Sequence, residues 1–294
     1  HAGCVEIGAG FEHQLVHAAV RSATSEKRSS PMLKSYHRLV DKPVVEGPVV
    51  EEPVVEAPVV EAPAAETPAA EQLECAVRWA VPADEPGMRE LLDDGERARY
   101  DRFLRAEDKA RFVTGRFLAR TTLAEVTGLD PRAIRFTTEC RHCGGGHGKP
   151  RLPGAGVDFS LSHSGDRVVL VLAEGAEVGV DVERESDRDI ERLARMVLSE
   201  PEREALAAMT DRRRGFHAYW SRKEALLKAT GHGLAAPMTA IHVSAPDEPA
   251  EVLAWDGEAA VSPVRLADLA PGPGYAAAAA VLTDRPLKIT EIPV

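Results

Sequence analysis

From Pro43 the chain falls into a five-residue repeat, PVVE at 43, 48, 53 and 58 and PAAE at 63 and 68. No other feature limits the fold as strongly. Proline at every fifth position removes backbone donors and disfavours helix, and it leaves the valine pairs only an edge role in any sheet. A glutamate in each repeat keeps the segment solvated and extended. The repeat therefore reads as a semi-rigid linker over 43–72, with folded structure expected from Leu73 onward. Ahead of it, residues 1–42 carry few large apolar side chains. Phe11, Leu15 and Ala18 mark at most one face of a short helix, and a poorly ordered leader is expected.

The repeat also distorts the charge balance. The 294-residue chain bears a formal charge of -11, of which residues 1–72 hold -5 through eleven acidic and six basic side chains, leaving -6 for the rest. A mildly acidic remainder argues against a protein that tracks nucleic-acid backbones. Four scattered cysteines (Cys4, Cys75, Cys140, Cys143) are too few for a disulfide scaffold, so a reducing compartment is the default. The longest candidate for a membrane span, Tyr275 to Leu282, is mostly alanine and far too short. The chain opens on His1, for which a processed, tagged or truncated start is expected, and no basic stretch leads into an apolar one. A cytoplasmic protein follows, acting on neither membrane nor nucleic acid, and a monomer is expected.

Beyond the linker, Ala76–Ala80 reads as a strand, Met88–Arg105 as a charged helix and Ala106–Val126 as a second helix. Phe112, Gly115, Phe117, Leu118 and Leu123 lie on the packed side of that second helix, and Arg111, Arg116 and Arg120 elsewhere. Ile134–Thr138 alternates like a strand before the glycine-rich loop Cys140–Gly148. Val157–Leu161 and Val168–Ala173 read as strands separated by a turn at Ser162-His163-Ser164-Gly165, and Val178–Glu183 as another strand. Helices follow at Asp189–Leu198, after Ser199 with Pro201 in the first turn, and in the run FHAYWSRKEALLKATGHGL from Phe216 to Leu234, where the helix is closed by glycine at 231. The end returns to strands at Ile241–Ser244, Glu251–Trp255 and Gly274–Leu282. Strand, helices, strands occur twice with a break near Gly175, which suggests an α+β fold of two similar halves.

Several stretches bear on chemistry. Trp220, Glu224 and Lys228 recur at i, i+4, i+8 and share one helical face, either as a surface ion pair or as part of a site. In VGVDVE, Asp181 and Glu183 point to one face of a strand and Val180 and Val182 to the other. Two adjacent carboxylates repel unless a cation lies between them. A hard divalent ion such as Mg²⁺ suits them, because it takes oxygen ligands; a solvated strand end is the alternative. FSLSHSG at 159 brings hydroxyls, an imidazole and turn amides to one point, either a phosphate or ribose contact or an ordinary hairpin. Gly148-Lys149-Pro150-Arg151 offers two cations around a stiffening proline but lacks Walker spacing. Cys140, Cys143 and His147 make half of a zinc site, or plain loop thiols.

In their order along the chain these stretches resemble the Sfp-type 4'-phosphopantetheinyl transferases. The family pattern has a Gly-Lys-Pro loop, a Phe-x-x-Ser-His-Ser strand end and a Gly-hydrophobic-Asp-hydrophobic-Glu strand. A Trp-Ser-x-Lys-Glu-Ala-x-x-Lys helix follows, with Gly-x-Gly-Leu after it. Here these are GKP at 148, FSLSHS at 159, GVDVE at 179, WSRKEALLK at 220 and GHGL at 231, matching from about residue 75 to 285. The resemblance implies a pseudo-twofold α+β fold with halves at 73–176 and 177–294 and coenzyme A in the cleft between them. It implies Mg²⁺ on Asp181, Glu183 and Glu224, and a phosphate on Lys228. The 3'-phosphoadenosine end would lie on Lys149, Ser162 and His163, with Pro150 near the adenine. Arg99 and Arg111 align with basic positions of the early helices. The implied reaction passes 4'-phosphopantetheine from coenzyme A to a serine of an acyl or peptidyl carrier protein and releases 3',5'-ADP. Lys228 and Glu224 are its catalytic groups, Glu224 serving as base directly or through a water. A binding module for coenzyme A or carrier protein, without turnover, is the alternative. The chain departs from the pattern in the Cys140–His147 loop, in the proline repeat and at His232, where relatives often carry lysine.

Overall fold

The computed structural model describes residues 71–293 except 141–143, 147, 187–188, 234–235 and 258–262. The leader, the repeat through residue 70, Cys143, His147 and Leu234 lie outside the described residues.

Strand β1 (Leu73–Ala80) starts three residues earlier than expected and buries Leu73, Cys75, Val77 and Trp79 at every second position. The single helix expected over 88–105 is instead two, α1 (Pro86–Arg89) and α2 (Asp94–Arg102). Asp93 makes the break. Its carboxylate accepts from the Glu96 N–H at 2.9 Å while Glu96 accepts from the Asp93 N–H at 3.1 Å, a capping box that starts a new helix. Helix α3 (Ala106–Thr127) runs as expected and closes on Gly128 at φ 71°, a left-handed cap suited to glycine. Arg120, read as lying off its packed side, is fully buried; its guanidinium pairs with Glu96 at 2.7 Å and stacks 4.8 Å over the Phe136 ring. The strand expected at 134–138 reduces to one antiparallel bridge, Thr137 to Arg151. Pro150 beside that bridge has no N–H with which to extend it.

Strands β2 (Val157–Ser164) and β3 (Arg167–Glu174) form a hairpin whose turn is Gly165-Asp166. Ser162, His163 and Ser164 therefore belong to the strand and not, as expected, to the turn. After β4 (Val178–Arg184) come α4 (Ile190–Val197), α5 (Glu200–Ala208), whose Ser199 and Glu202 form the capping box, and α6 (Arg212–Thr230), closed by Gly231 at φ 73°. Strands β5 (Ile241–Val243), β6 (Val252–Trp255), β7 (Arg265–Asp268), β8 (Tyr275–Val281) and β9 (Leu287–Ile292) complete the chain. Neither β7 nor β9 was expected: both are edge strands, β7 only four residues long and β9 alternating in exposure without a buried residue.

Two sheets share one plan. In the first, ordered β2-β3-β1-β9, β3 pairs antiparallel with both β1 and β2; in the second, ordered β4-β8-β7, β8 pairs antiparallel with both β4 and β7. Each is thus a strand, a long helix and a hairpin whose last strand lies in the middle. Strand β9 returns to pair parallel with β1. Val77, Val169 and Val171 of the first sheet and Val180, Val182 and Ala279 of the second form a common core. A second core lies between α3 and the first sheet, around Leu123, Phe159 and Leu170. Among the described residues, no helix is long and apolar enough to cross a membrane.

Candidate active site

The second sheet ends at β4, and what meets its free edge is β2. The contact is made by side chains and not by a backbone ladder. Asp158 accepts from the Val178 N–H at 2.8 Å, Ser160 from the Val180 N–H at 3.2 Å and Ser164 from the Arg184 N–H at 3.1 Å. The remaining hydroxyl of the alternating series, Ser162, donates to Asp181 Oδ1 at 2.9 Å. The Asp158 carboxylate and the Ser160 and Ser164 hydroxyls therefore satisfy edge donors of β4, while Ser162 turns to the Asp181 carboxylate.

Helix α6 lies over the Gly179, Asp181, Glu183 face of β4. A Cβ on Gly179 would stand 2.0 Å from the Ala225 carbonyl oxygen and 2.4 Å from the Ala229 nitrogen, so only glycine permits this approach. The far side of the helix is anchored by two buried cations. Arg222 bonds Asp268 at 2.6 and 2.9 Å and the carbonyls of Ser244, Ala245 and Glu248. Lys223 bonds the Val197 and Met238 carbonyls and the Glu202 carboxylate. Held from both sides, α6 presents Glu224 and Lys228 toward β4. The surface helix with an exposed ion pair is thereby excluded, since Trp220 and Glu224 are only 1% and 2% exposed.

One cleft is lined by the ten residues that the resemblance assigns to the site, though not by Trp220. The ten are Asp181, Glu183, Glu224, Lys228, Arg99, Arg111, Lys149, Pro150, Ser162 and His163. Lys228 Nζ lies 2.6 Å from Asp181 Oδ1 and 2.9 Å from Ser162 Oγ, and Ser164 donates to Glu183 at 2.9 Å. The Arg111 guanidinium bonds the Gly165 carbonyl at 3.0 Å and Asp108 at 2.6 Å, and that of Arg99 stacks 5.5 Å over the Phe112 ring. Lys149 lines the cleft, but its ammonium is turned to the Asp158 carboxylate and the Val178 carbonyl. Sequence reasoning missed Arg116, Phe112 and Ser160 as lining residues, and Ser164 as the partner of Glu183. The alternation of serine at 160, 162 and 164 was the available signal.

Crowded carboxylates shift one another. Burial first, then the Asp181 charge, hold the Glu183 carboxyl well above the usual range. The same two causes raise Glu224 to about 8 against the opposing pull of Lys228. Burial alone would lower Lys228, but Asp181 and Glu224 more than offset it and leave its ammonium firmly protonated. His163 is pulled down to about 4 by burial, then by Arg111 and Lys228, and is neutral.

Comparison with known proteins decides the family. A model of the 4'-phosphopantetheinyl transferase superfamily matches residues 177–280, and one described as 4'-phosphopantetheinyl transferase, N-terminal, matches residues 81–175. The 4'-phosphopantetheinyl transferase HetI of Nostoc sp. is 33% identical over 187 residues, which are 59% of this chain and 76% of that protein. The chain belongs to the 4'-phosphopantetheinyl transferase superfamily. Within that superfamily it is also similar to Sfp of Bacillus subtilis, 29% identical over 155 residues, 52% of this chain and 66% of the relative. The crystal structure of Thermotoga maritima holo-(acyl-carrier-protein) synthase overlaps 37% of this chain and 64% of its own at a TM-score of 0.32 and 25% identity.

Whether this superfamily member suits a divalent ion is a question of its donors. Asp181 Oδ2 and Glu224 Oε1 are both buried and lack a hydrogen-bond partner. Buried acceptors of that kind carry a desolvation cost that a hard cation relieves, and an all-carboxylate set suits Mg²⁺. Among the described residues no three such donors converge on one point at metal-ligand range. The Lys228 ammonium is instead the cation paired with Asp181.

Proposed function

We propose that this protein transfers the 4'-phosphopantetheine group of coenzyme A to a serine hydroxyl of an apo acyl or peptidyl carrier protein, releasing 3',5'-ADP. The observation that carries this reading is the convergence in one cleft of a buried Lys228–Asp181 pair, two unpartnered carboxylate oxygens and an arginine-lined wall. Family membership supplies the reaction class.

In the transfer, the serine oxygen of the carrier forms a bond to the β-phosphorus of coenzyme A. The bond from that phosphorus to the departing 3',5'-ADP breaks, and the leaving oxygen keeps the electron pair. Such reactions need positioning and charge neutralisation more than covalent help. Lys228, kept protonated by its carboxylate neighbours, supplies positive charge beside the phosphates. Glu224 accepts the serine proton directly or through a water. Asp181, Glu183 and Glu224 would hold Mg²⁺, which when bound neutralises pyrophosphate charge. Ser162, His163, Arg99 and Arg111 would receive the 3'-phosphoadenosine end, with Pro150 against the adenine. The neutral His163 suits hydrogen bonding there more than ion pairing. The halves flanking this cleft are taken as 73–176 and 177–294, preceded by the leader over 1–42 and the repeat linker over 43–72. We take the protein to act as a cytoplasmic monomer on coenzyme A and carriers and not on nucleic acid or membranes, in keeping with its acidic balance.

The test is to incubate the protein with coenzyme A, Mg²⁺ and an apo carrier protein and to weigh the carrier. A gain of one phosphopantetheine mass, lost in Asp181→Ala and Lys228→Ala, is expected. An unchanged mass with several carriers sinks the transferase reading; coenzyme A binding in that case would assign the chain as a binding module.

A further inference from the structure

We propose that Lys149 is a positioning residue, a clamp across the seam between β2 and β4, and not a ligand of the co-substrate's phosphates. The inference rests on the reading that the cleft takes coenzyme A.

Lys149 is 6% exposed, although it sits in a loop. Its ammonium donates to the Asp158 carboxylate and, at 2.5 Å, to the Val178 carbonyl. Asp158 in turn accepts from the Val178 N–H at 2.8 Å. One lysine–aspartate pair thus holds both backbone polar groups of the first residue of β4, and holds them to β2. Behind it the loop is pinned at two further points. Thr137 and Arg151 exchange backbone bonds at 3.0 and 2.9 Å, and Gly148 approaches Glu139 so closely that a Cβ would lie 2.4 Å from its carbonyl oxygen. Arg151 adds a second cation, 3.5 Å from Asp158 and 3.3 Å from Glu177.

The clamp stands at the start of the seam that carries the site. Three residues after Val178 comes Asp181, and four after Asp158 comes Ser162; these two bond each other and Lys228. Because side chains and not a backbone ladder join the strands here, the register of β4 on β2 depends on each of these contacts. For Lys149 to grasp a phosphate it would have to leave Asp158, whose side chain is 12% exposed, with only the Val178 N–H and the more distant Arg151 guanidinium as partners. Burial already pulls this ammonium down to about 8, and Asp158 is the main influence holding it up.

The two assignments separate on Asp158. The experiment measures, by titration calorimetry on the full chain, the binding of coenzyme A and of 3'-dephospho-coenzyme A, together with thermal melting, for wild type, Lys149→Met, Asp158→Asn and the double variant. A clamp predicts that both single variants melt lower and bind both nucleotides more weakly, that the affinity ratio of the two nucleotides stays within about threefold of wild type, and that the double variant is no worse than either single. A phosphate ligand predicts the reverse: Lys149→Met loses tenfold or more in affinity with unchanged melting, while Asp158→Asn frees the ammonium and binds as well as wild type or better. That result overturns the proposal. If Lys149→Met fails to fold, Asp158→Asn alone decides: weaker binding with lower melting supports the clamp, and wild-type or tighter binding overturns it. If wild type binds neither nucleotide, the reading of the cleft fails on its own. The clamp is then judged by melting, and it falls if Lys149→Met and Asp158→Asn both melt like wild type.

Discussion

Lys228 and Asp181 stand 47 residues apart in the chain and 2.6 Å apart in the fold, and both bond Ser162. The pair is almost wholly buried, with side chains 11% and 3% exposed. Removing one partner of such a pair leaves the other as an uncompensated buried charge. Asp181→Ala is therefore expected to lower the unfolding free energy by about 3–5 kcal/mol, read from urea titration. Lys228→Ala removes the cation nearest the developing charge and is expected to slow carrier modification by about 10²–10³-fold, read from single-turnover kinetics with a saturating carrier.

The approach of α6 to β4 depends on one missing methyl group. Gly179→Ala would push a Cβ onto the Ala225 carbonyl and the Ala229 nitrogen, which are backbone atoms and cannot rotate away. The helix must then move off the strand, and Glu224 and Lys228 with it. A destabilisation of about 3 kcal/mol or more is expected, in the range of severe overpacking. Circular-dichroism melting measures it, and a Gly179→Ala protein that melts within a degree or two of wild type would refute the account.

His163 gives the fold an acid-sensitive contribution to stability. Its imidazole titrates near 4 in the folded protein, against an ordinary value of 6.5. Between these limits the unfolded chain binds a proton at this position that the folded chain does not, so the stability contributed by His163 falls as pH drops from about 6.5 toward 4, against the opposite contribution of Glu183 and Glu224. His163→Gln removes the group and is expected to flatten the dependence of melting temperature on pH across this window. Replacement without any change in that slope would contradict a neutral, half-buried imidazole.

The anchor behind α6 is expected to act as one unit. Glu202 accepts from the Ser199 N–H at 2.8 Å and the Val243 N–H at 3.0 Å as well as from Lys223. Lys223→Met strands that carboxylate and is expected to cost about 3–5 kcal/mol, whereas Lys223→Met with Glu202→Gln is expected to cost less than the sum of the single changes. Chemical denaturation of the four proteins in the cycle gives the coupling energy.

The prominent elements were legible because local chemistry decides them. Helix α3 and helix α6 run where good helix formers persist and stop at Gly128 and Gly231. The break at Asp93 was missed because a helical pattern continues across it, although aspartate followed three residues later by glutamate is itself a start signal. The strand expected at 134–138 failed for want of a neighbour, since alternation describes a face and says nothing of what lies beside it. The candidate site residues were legible as a set through their order along the chain, but their roles were not equally so. Lys149 reads from sequence as a cation beside a proline in a glycine loop, and only the fold turns its ammonium toward Asp158 and Val178.

By itself, the sequence of the stretch from Trp220 to Lys228 determined a helix with an aromatic, a carboxylate and an ammonium on one face, because the period of the α-helix dictates that much. It left open whether that face meets water or protein. The tertiary structure decided, because the glycine at 179 admits α6 onto β4 and the buried cations Arg222 and Lys223 hold its far side. An ordinary surface ion pair is thereby drawn into low dielectric beside Asp181 and Glu183. There the same side chains repel, attract and shift one another's proton affinities far more than water would allow.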